Sequence, residues 1–292
     1  MSETRWSIED LQQALRKFER ALRDANMAPN TVQTYVGRSE TFLRWLAGRY
    51  RPTGPRNTAV DVAAPPLPGR RLLTEFRDSL SAEALGGYLH DYAVLTAYDR
   101  SLKLLRSACA DGVDLGDPVH RDAVLRWLRT WGCRHLRLVD NGRTSSGLLS
   151  WWRRYGDALP GIANELSELG DEQINAVGPA YSALASMPAA GRSASREVTV
   201  SFGSTAAAKT LFAIRPRAFP PWDDSIRAAF GFGAADGQAF TTYLALVADT
   251  LRGVATRVGV PISELPAVLK RRDSPPPKLV DEYLWVRLSR SL

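Results

Sequence analysis

Residues 203–230 read GSTAAAKTLFAIRPRAFPPWDDSIRAAF. Gly203-Ser204-Thr205 can open a helix with Ser204 or Thr205 as its cap, because a hydroxyl at a helix start accepts a backbone N–H that lacks an intrahelical partner. Ala206–Ala208 leave one side of that helix small enough for another backbone to approach. Pro216 ends it, since proline disfavours helical conformation in the residue before it. Pro220 and Pro221 stiffen the approach to Trp222, Asp223 and Asp224, and Ser225–Phe230 reads as helix again. The stretch is helix, rigid turn, helix, with two carboxylates at the second helix start in a basic and aromatic setting.

Outward from it the helical pattern continues. Ile8, Leu11, Leu15, Phe18 and Leu22 fall on one helical face, and Ser7 followed by Asp10 has the spacing of a capping box. Met27-Ala28-Pro29-Asn30 breaks this helix, with Asn30 as cap of the next. That second helix carries Tyr35, Phe42, Leu43, Trp45 and Leu46, with Gly48 as its C-cap. Residues 52–70 hold five prolines and read as a linker or a long surface loop. Beyond them helices are expected over about 70–79, 82–86, 91–108, 119–131, 145–155, 161–167, 171–187, 204–214, 224–230, 236–258, 262–270 and 276–287. Only EVTVSF, residues 197–202, alternates like a strand. The expected fold class is all-α, organised as a helical module over 1–51, a Pro-rich linker over 52–70 and a larger all-α domain over 71–292.

The composition, 45% hydrophobic and 24% charged over 292 residues, supplies a substantial core. A formal net charge of +7 favours polyanionic partners, nucleic acid first. Residues 121–155 concentrate that charge: eight Arg stand against Asp122 and Asp140, with Trp127, Trp131, Trp151 and Trp152 among them. Arg interleaved with aromatics suits a nucleic-acid surface, charge for phosphates and rings for bases. A solvated helix face over core tryptophans gives the same pattern. The two cysteines and three histidines show no CxxC or HxxxH spacing, so no metal site or cofactor is expected. Lone cysteines fit a reducing cytoplasm. No signal-like apolar run opens the chain, and no stretch approaches the roughly 20 residues of a membrane span.

Two resemblances sharpen this. APNTVQTYVGRSETFLRWL, residues 28–46, resembles the helical core-binding module of tyrosine recombinases. The opening stretch resembles the segment of helix-hairpin-helix DNA glycosylases that runs from the hairpin glycine to the catalytic aspartate. There a helix that starts Gly-x-x-Thr-Ala ends near a proline; Phe-Pro or Val-Pro then leads to Asp, with an apolar residue three places on and Arg shortly after. The matching positions are Gly203, Thr205-Ala206, Pro216, Phe219-Pro220, Asp223, Ile226 and Arg227. This register selects Asp223 as catalytic carboxylate and leaves Asp224 as helix cap or second polar group. The chain departs from the family at Thr199–Gly203, where a Leu-Pro-Gly-Ile-Gly lead-in is usual, and at Ser204 or Thr205, near which bifunctional members carry lysine.

The resemblance implies a monofunctional hydrolase that flips a base out of double-stranded DNA and cleaves its N-glycosidic bond, leaving an abasic site. The sugar becomes oxocarbenium-like, and one carboxylate can stabilise that charge or activate water without metal or cofactor. Trp222 and Trp131 are then candidate walls of the base pocket. Gly203, Ser204 and Thr205 at the helix N-terminus, with Arg134, Arg215, Arg217 and Arg227, are candidate DNA contacts. Lys209, one turn further on, is a candidate amine nucleophile. The joined module and long helical insert resemble phage-defence glycosylases that excise modified cytosines such as glucosylated hydroxymethylcytosine. No obligate protein partner is implied. The rival expectations are a non-catalytic DNA-binding protein, with Asp223 only a cap, and an interaction protein of a defence or mobile-element locus. A working recombinase is not expected, because none of His90, His120 and His135 is followed three residues later by Arg.

Overall fold

Ser7 closes the expected capping box in the computed structural model, which describes residues 6–47, 68–96, 98–133, 135–136, 141–191, 199–232 and 236–290. Its hydroxyl accepts the Asp10 N–H at 3.1 Å, and the Asp10 carboxylate accepts the Ser7 N–H at 3.0 Å. That cap starts α1 (Ile8–Asp24), and a short link leads to α2 (Pro29–Leu46). Pro29 occupies the first helical position, which suits its fixed φ and missing N–H, so Ala28 is the cap residue and Asn30 is not. The buried residues of α2 are Val32, Val36 and Leu43, at spacings of four and seven, whereas Tyr35 and Phe42 are 52% and 56% exposed. A two-helix pair offers only a narrow seam, and the larger aromatics fall outside it. Gly48, the expected C-cap, lies outside the described residues, and Ala47 closes the helix.

The chain divides into two compact units; α1 and α2 belong to one, and Pro66–Ala93 with Tyr98–Leu288 form the other. Residues 52–67 of the expected linker lie outside the described residues, and Pro68–Arg70 already form the first turn of α3 (Pro68–Thr74). That helix runs into a π turn at Glu75–Ser79. Then come α4 (Ala82–Leu95), α5 (Tyr98–Ala108), α6 (Pro118–Thr130), α7 (Asn141–Tyr155) and α8 (Asp171–Ser186). The single helix expected over 91–108 is thus shared between α4 and α5. That expected over 161–167 is reduced to a 3-10 turn at Leu166–Glu168, because the Leu166 N–H is committed to the Arg217 carbonyl at 3.0 Å.

One small hairpin interrupts the helices. β1 (Pro188–Gly191) pairs antiparallel with β2 (Thr199–Ser201), Pro188 opposite Ser201 and Gly191 opposite Thr199. After it come α9 (Ser204–Ile214), α10 (Asp224–Ala229), α11 (Gly237–Val258), the four-residue α12 (Leu265–Val268) and α13 (Pro276–Arg290). The fold class is all-α, as expected. Among the described residues no helix is long and apolar enough to cross a membrane.

The centre of the larger unit is α9. Ala206, Ala207, Ala208 and every residue from Thr210 to Ile214 are buried. It is apolar nearly all round, as a helix enclosed by neighbours must be, and α6 and α8 pack against it. Elsewhere α8 meets α11 at Gly178 and Gly237, where a Cβ on Gly237 would stand 2.3 Å from the Gly178 carbonyl oxygen. The C-terminal helix is held by buried charge. Lys278 and Glu282 pair with no exposure, Lys278 also reaches Asp99 at 2.9 Å, and Arg271 bridges Asp99 and Glu282 at 2.7 Å. Burial acts to raise the Asp99 carboxyl, but the Lys278 and Arg271 cations overcome it and hold it below the usual carboxylate range.

Candidate functional site

The site begins where β2 hands over to α9. Phe202 N–H donates to the Met187 carbonyl at 2.7 Å and Gly203 N–H to the Ala185 carbonyl at 2.9 Å. These bonds turn the chain at Gly203, whose φ is +84° with ψ 157°, a conformation strained for any residue with a Cβ. Gly203 is therefore the N-cap and Ser204 the first helical residue. Neither Ser204 nor Thr205 caps the helix, contrary to expectation. On this otherwise buried helix, Ser204, Thr205 and Lys209 are half-exposed. Thr205 and Lys209, four apart, share one face.

At the other end of the proline turn, Asp223 is extended at φ −123° and ψ −177°, so the helix starts only after it. Its Oδ1 accepts the Ile226 N–H at 3.0 Å. Of the two roles expected for Asp224, helix cap or second polar group, the cap is corrected: Asp223 is the cap and Asp224 the first residue of α10. Asp224 is exposed, accepts the Thr205 hydroxyl at 3.2 Å and pairs with Arg227. Arg227 in turn lies 5.9 Å from the centre of the Trp222 ring. Asp223 is half-buried, and its Oδ2 has no hydrogen-bond partner among the described residues.

These residues meet at a cleft of about 470 Å³. Ser204, Thr205 and Lys209 of α9 line one side, and Asp223, Asp224 and Arg227 another. Gly132, Cys133 and His135, from the link between α6 and α7, complete it. Burial pushes the Cys133 thiol up to about 11, so it stays protonated at neutral pH. The Lys209 ammonium donates to the Trp131 carbonyl and sits 5.2 Å from the centre of the same ring.

Both tryptophans expected to wall a base pocket are core residues. Trp222 is fully buried among Tyr181, Phe240 and Tyr243, and its indole N–H donates to the Tyr181 hydroxyl at 3.1 Å. That hydroxyl donates to the Ser204 carbonyl at 3.3 Å, which braces the Asp223 turn against the start of α9. Burial pushes the Tyr181 hydroxyl up to about 12. Trp131 is 2% exposed and stacks on Phe212 at 5.5 Å, so it supports Lys209 from below. Apolar rings of this size are worth more in a core than against solvent.

The basic residues sort in the same way. Arg215 is directed inward, donating to the Pro160 carbonyl at 2.5 Å, and Arg217 is exposed and paired with Glu165. Neither lines the cleft, where Arg227 does. Arg134 lies outside the described residues. In residues 121–155, Trp127 and Trp151 are buried and Arg121 is buried on the Leu115 and Gly116 carbonyls, while Arg126, Arg143, Arg153 and Arg154 are exposed. Three of the four tryptophans are buried, Trp152 is partly so, and most of the described arginines face outward, the pattern of a solvated face over core rings.

Two residues near the site escaped the sequence. Asp281 of α13 is 8% exposed and has no hydrogen-bond partner among the described residues. Burial first, and then the nearby Asp223 charge, push its carboxyl well above the usual range against the pull of Lys278 and Lys209. Its signal was the pair Asp281-Glu282 inside the otherwise apolar run Leu279–Val286. His135 gave none, because its partner, Phe202, is far along the chain. Comparison with protein-family profiles finds no match to this chain, and comparisons with curated proteins and with solved structures find no significant match.

Proposed function

We propose that this cleft is the active site of a DNA glycosylase that hydrolyses the N-glycosidic bond of a flipped base. One observation carries the reading: the Asp223 carboxylate is fixed through one oxygen by the α10 cap, while the other has no partner among the described residues, at a cleft shared with two cations, Lys209 and Arg227. A carboxylate held in this way meets a developing oxocarbenium ion without reorganising. The cations and the N-terminus of α9 suit the flanking phosphates. The net charge of +7 and the exposed arginines of α6 and α7 suit a polyanion beyond the cleft. At about 470 Å³ the cleft lies within the roughly 300–1,000 Å³ of ordinary ligand sites, room for a base with a bulky substituent. A heavily modified cytosine is the substrate we favour, with water as final nucleophile.

The test is base release. Duplexes carrying normal, deaminated, oxidised, alkylated or glucosylated bases are incubated with the protein, and abasic sites are then cleaved with alkali. Asp223→Asn retains a capping side chain but removes the charge, and should lower release about 10²–10³-fold. Asp224→Asn should change it less than tenfold. Loss in Asp224→Asn alone would move the catalytic role to that residue. The cap itself supports a second reading, a non-catalytic DNA-binding protein in which Asp223 only starts α10; DNA retarded in a gel with no base released would favour it. Borohydride trapping with no covalent adduct would remove Lys209 as a nucleophile.

A further inference from the structure

The cleft holds one group that the carboxylate chemistry leaves unused. His135 lines the same cleft as Asp223, half-buried, with its Nε2 2.8 Å from the Phe202 carbonyl oxygen. A carbonyl only accepts, so Nε2 carries a hydrogen. The acceptor is itself fixed: Phe202 is fully buried, and its N–H is held by the Met187 carbonyl. The ring packs on Gly203, where a Cβ would stand 3.6 Å from Nε2. Nδ1 has no hydrogen-bond partner among the described residues. The locked bond at Nε2 survives in both charge states of the ring, so Nδ1 is the atom that gains and loses the proton. That division of labour is what a general acid requires.

We propose that His135 is a further catalytic residue, the general acid that protonates the departing base. The assignment rests on the glycosylase reading. As the C1′–N bond breaks, its electron pair leaves with the base. The imidazolium gives its Nδ1 proton to a ring nitrogen or a conjugated carbonyl oxygen of that base. The Asp223 carboxylate stabilises the cationic C1′. Water then adds to C1′, and its surplus proton returns the imidazole to imidazolium. The sum is one water consumed, one neutral base and one abasic sugar released. The charged and titratable groups that share the cleft are Asp223 and Asp224, which favour the imidazolium, Lys209 and Arg227, which oppose it, and the protonated Cys133 thiol.

The experiment is the pH dependence of single-turnover release, measured on the base that the wild type removes fastest. The wild-type rate should fall about tenfold per pH unit above the imidazolium titration. His135→Gln, whose amide can still donate to the Phe202 carbonyl, should release base about 10²–10⁴-fold more slowly on the acid side and lose that descending limb. The shape of the profile does not depend on the active fraction, so a partly folded variant still decides. A limb that persists in His135→Gln, or a rate within threefold of wild type, would overturn the assignment and leave Asp223 untouched. No release by the wild type from any substrate would overturn the glycosylase reading and this assignment with it.

Discussion

Tyr181→Phe tests the brace that sets Asp223 against α9. The hydroxyl accepts from the Trp222 indole at 3.1 Å and donates to the Ser204 carbonyl at 3.3 Å. The ring itself stays stacked on Phe240, 4.2 Å between centres, so the change removes polar contacts and little volume. The Ser204 carbonyl keeps its place in the first turn of α9, so losing that bond costs about 0.5–1.5 kcal/mol. The indole N–H is fully buried and is left with no acceptor, which costs about 1–3 kcal/mol. Together the variant should lose about 1.5–4.5 kcal/mol, read by urea unfolding followed by circular dichroism. In a Trp222→Phe background there is no indole to orphan, and the same substitution should cost only about 0.5–1.5 kcal/mol. Equal costs in the two backgrounds would refute the brace, because the hydroxyl would then not be what satisfies the indole.

Gly237→Ala should destabilise by about 3 kcal/mol in thermal unfolding, since its Cβ would meet the Gly178 carbonyl oxygen at 2.3 Å and the obstacle is backbone. Gly178→Ala, whose nearest neighbours outside its own chain segment would stand at 3.4 Å, should cost no more than about 1 kcal/mol, the gain in helix propensity being set against a Cβ placed before Pro179; similar losses in both would refute the close approach. Two carboxyls should show opposite pH signatures in urea midpoints. Asp281 is raised in the folded state, so as pH climbs past the unfolded value near about 4 the unfolded chain gives up a proton that the folded chain keeps, and stability falls. Asp281→Asn should therefore be more stable than wild type at neutral pH, with the advantage vanishing as pH falls to about 4; a pH-independent difference would show that Asp281 is not held protonated. Asp99 is lowered in the folded state, so its contribution is present above the unfolded value and lost as pH falls through the folded one. Asp99→Asn should be less stable than wild type at neutral pH, and a gap that failed to narrow in acid would count against the cation pairing.

The helices were legible where the chain carries its own punctuation. Ser7 with Asp10, and Pro216, mark boundaries by local hydrogen bonding or proline geometry, and those boundaries appear within a residue or two. What failed was set by distant partners. β1 is Pro-Ala-Ala-Gly, with no alternation to read, and exists because β2 lies beside it. The turn at Leu166–Glu168 forgoes a helix because its N–H reaches Arg217. Trp222 and Trp131 were read beside the Asp and the arginines that flank them in sequence. Their rings instead follow the core, since burying an indole outweighs presenting it to solvent.

The place of Asp223 at the candidate cleft was legible for a different reason. A carboxylate behind two prolines is a local feature, and the turn that makes Asp223 a cap is the same turn that brings it to the cleft. Capping does not use up this carboxylate, because the cap consumes Oδ1 alone and in doing so fixes where Oδ2 lies. The rest of the site is assembled across the chain. Lys209 is positioned by the Trp131 carbonyl, and His135 by the Phe202 carbonyl. Each is oriented by a backbone acceptor from an element remote in sequence, and each acceptor belongs to a residue buried in the core. Cores of this kind resist displacement, since any shift costs packing on every side. The polar groups of the cleft are thus borne by elements chosen for their apolar packing. That is why the motif could point to Asp223 while the residues around it became visible only in three dimensions.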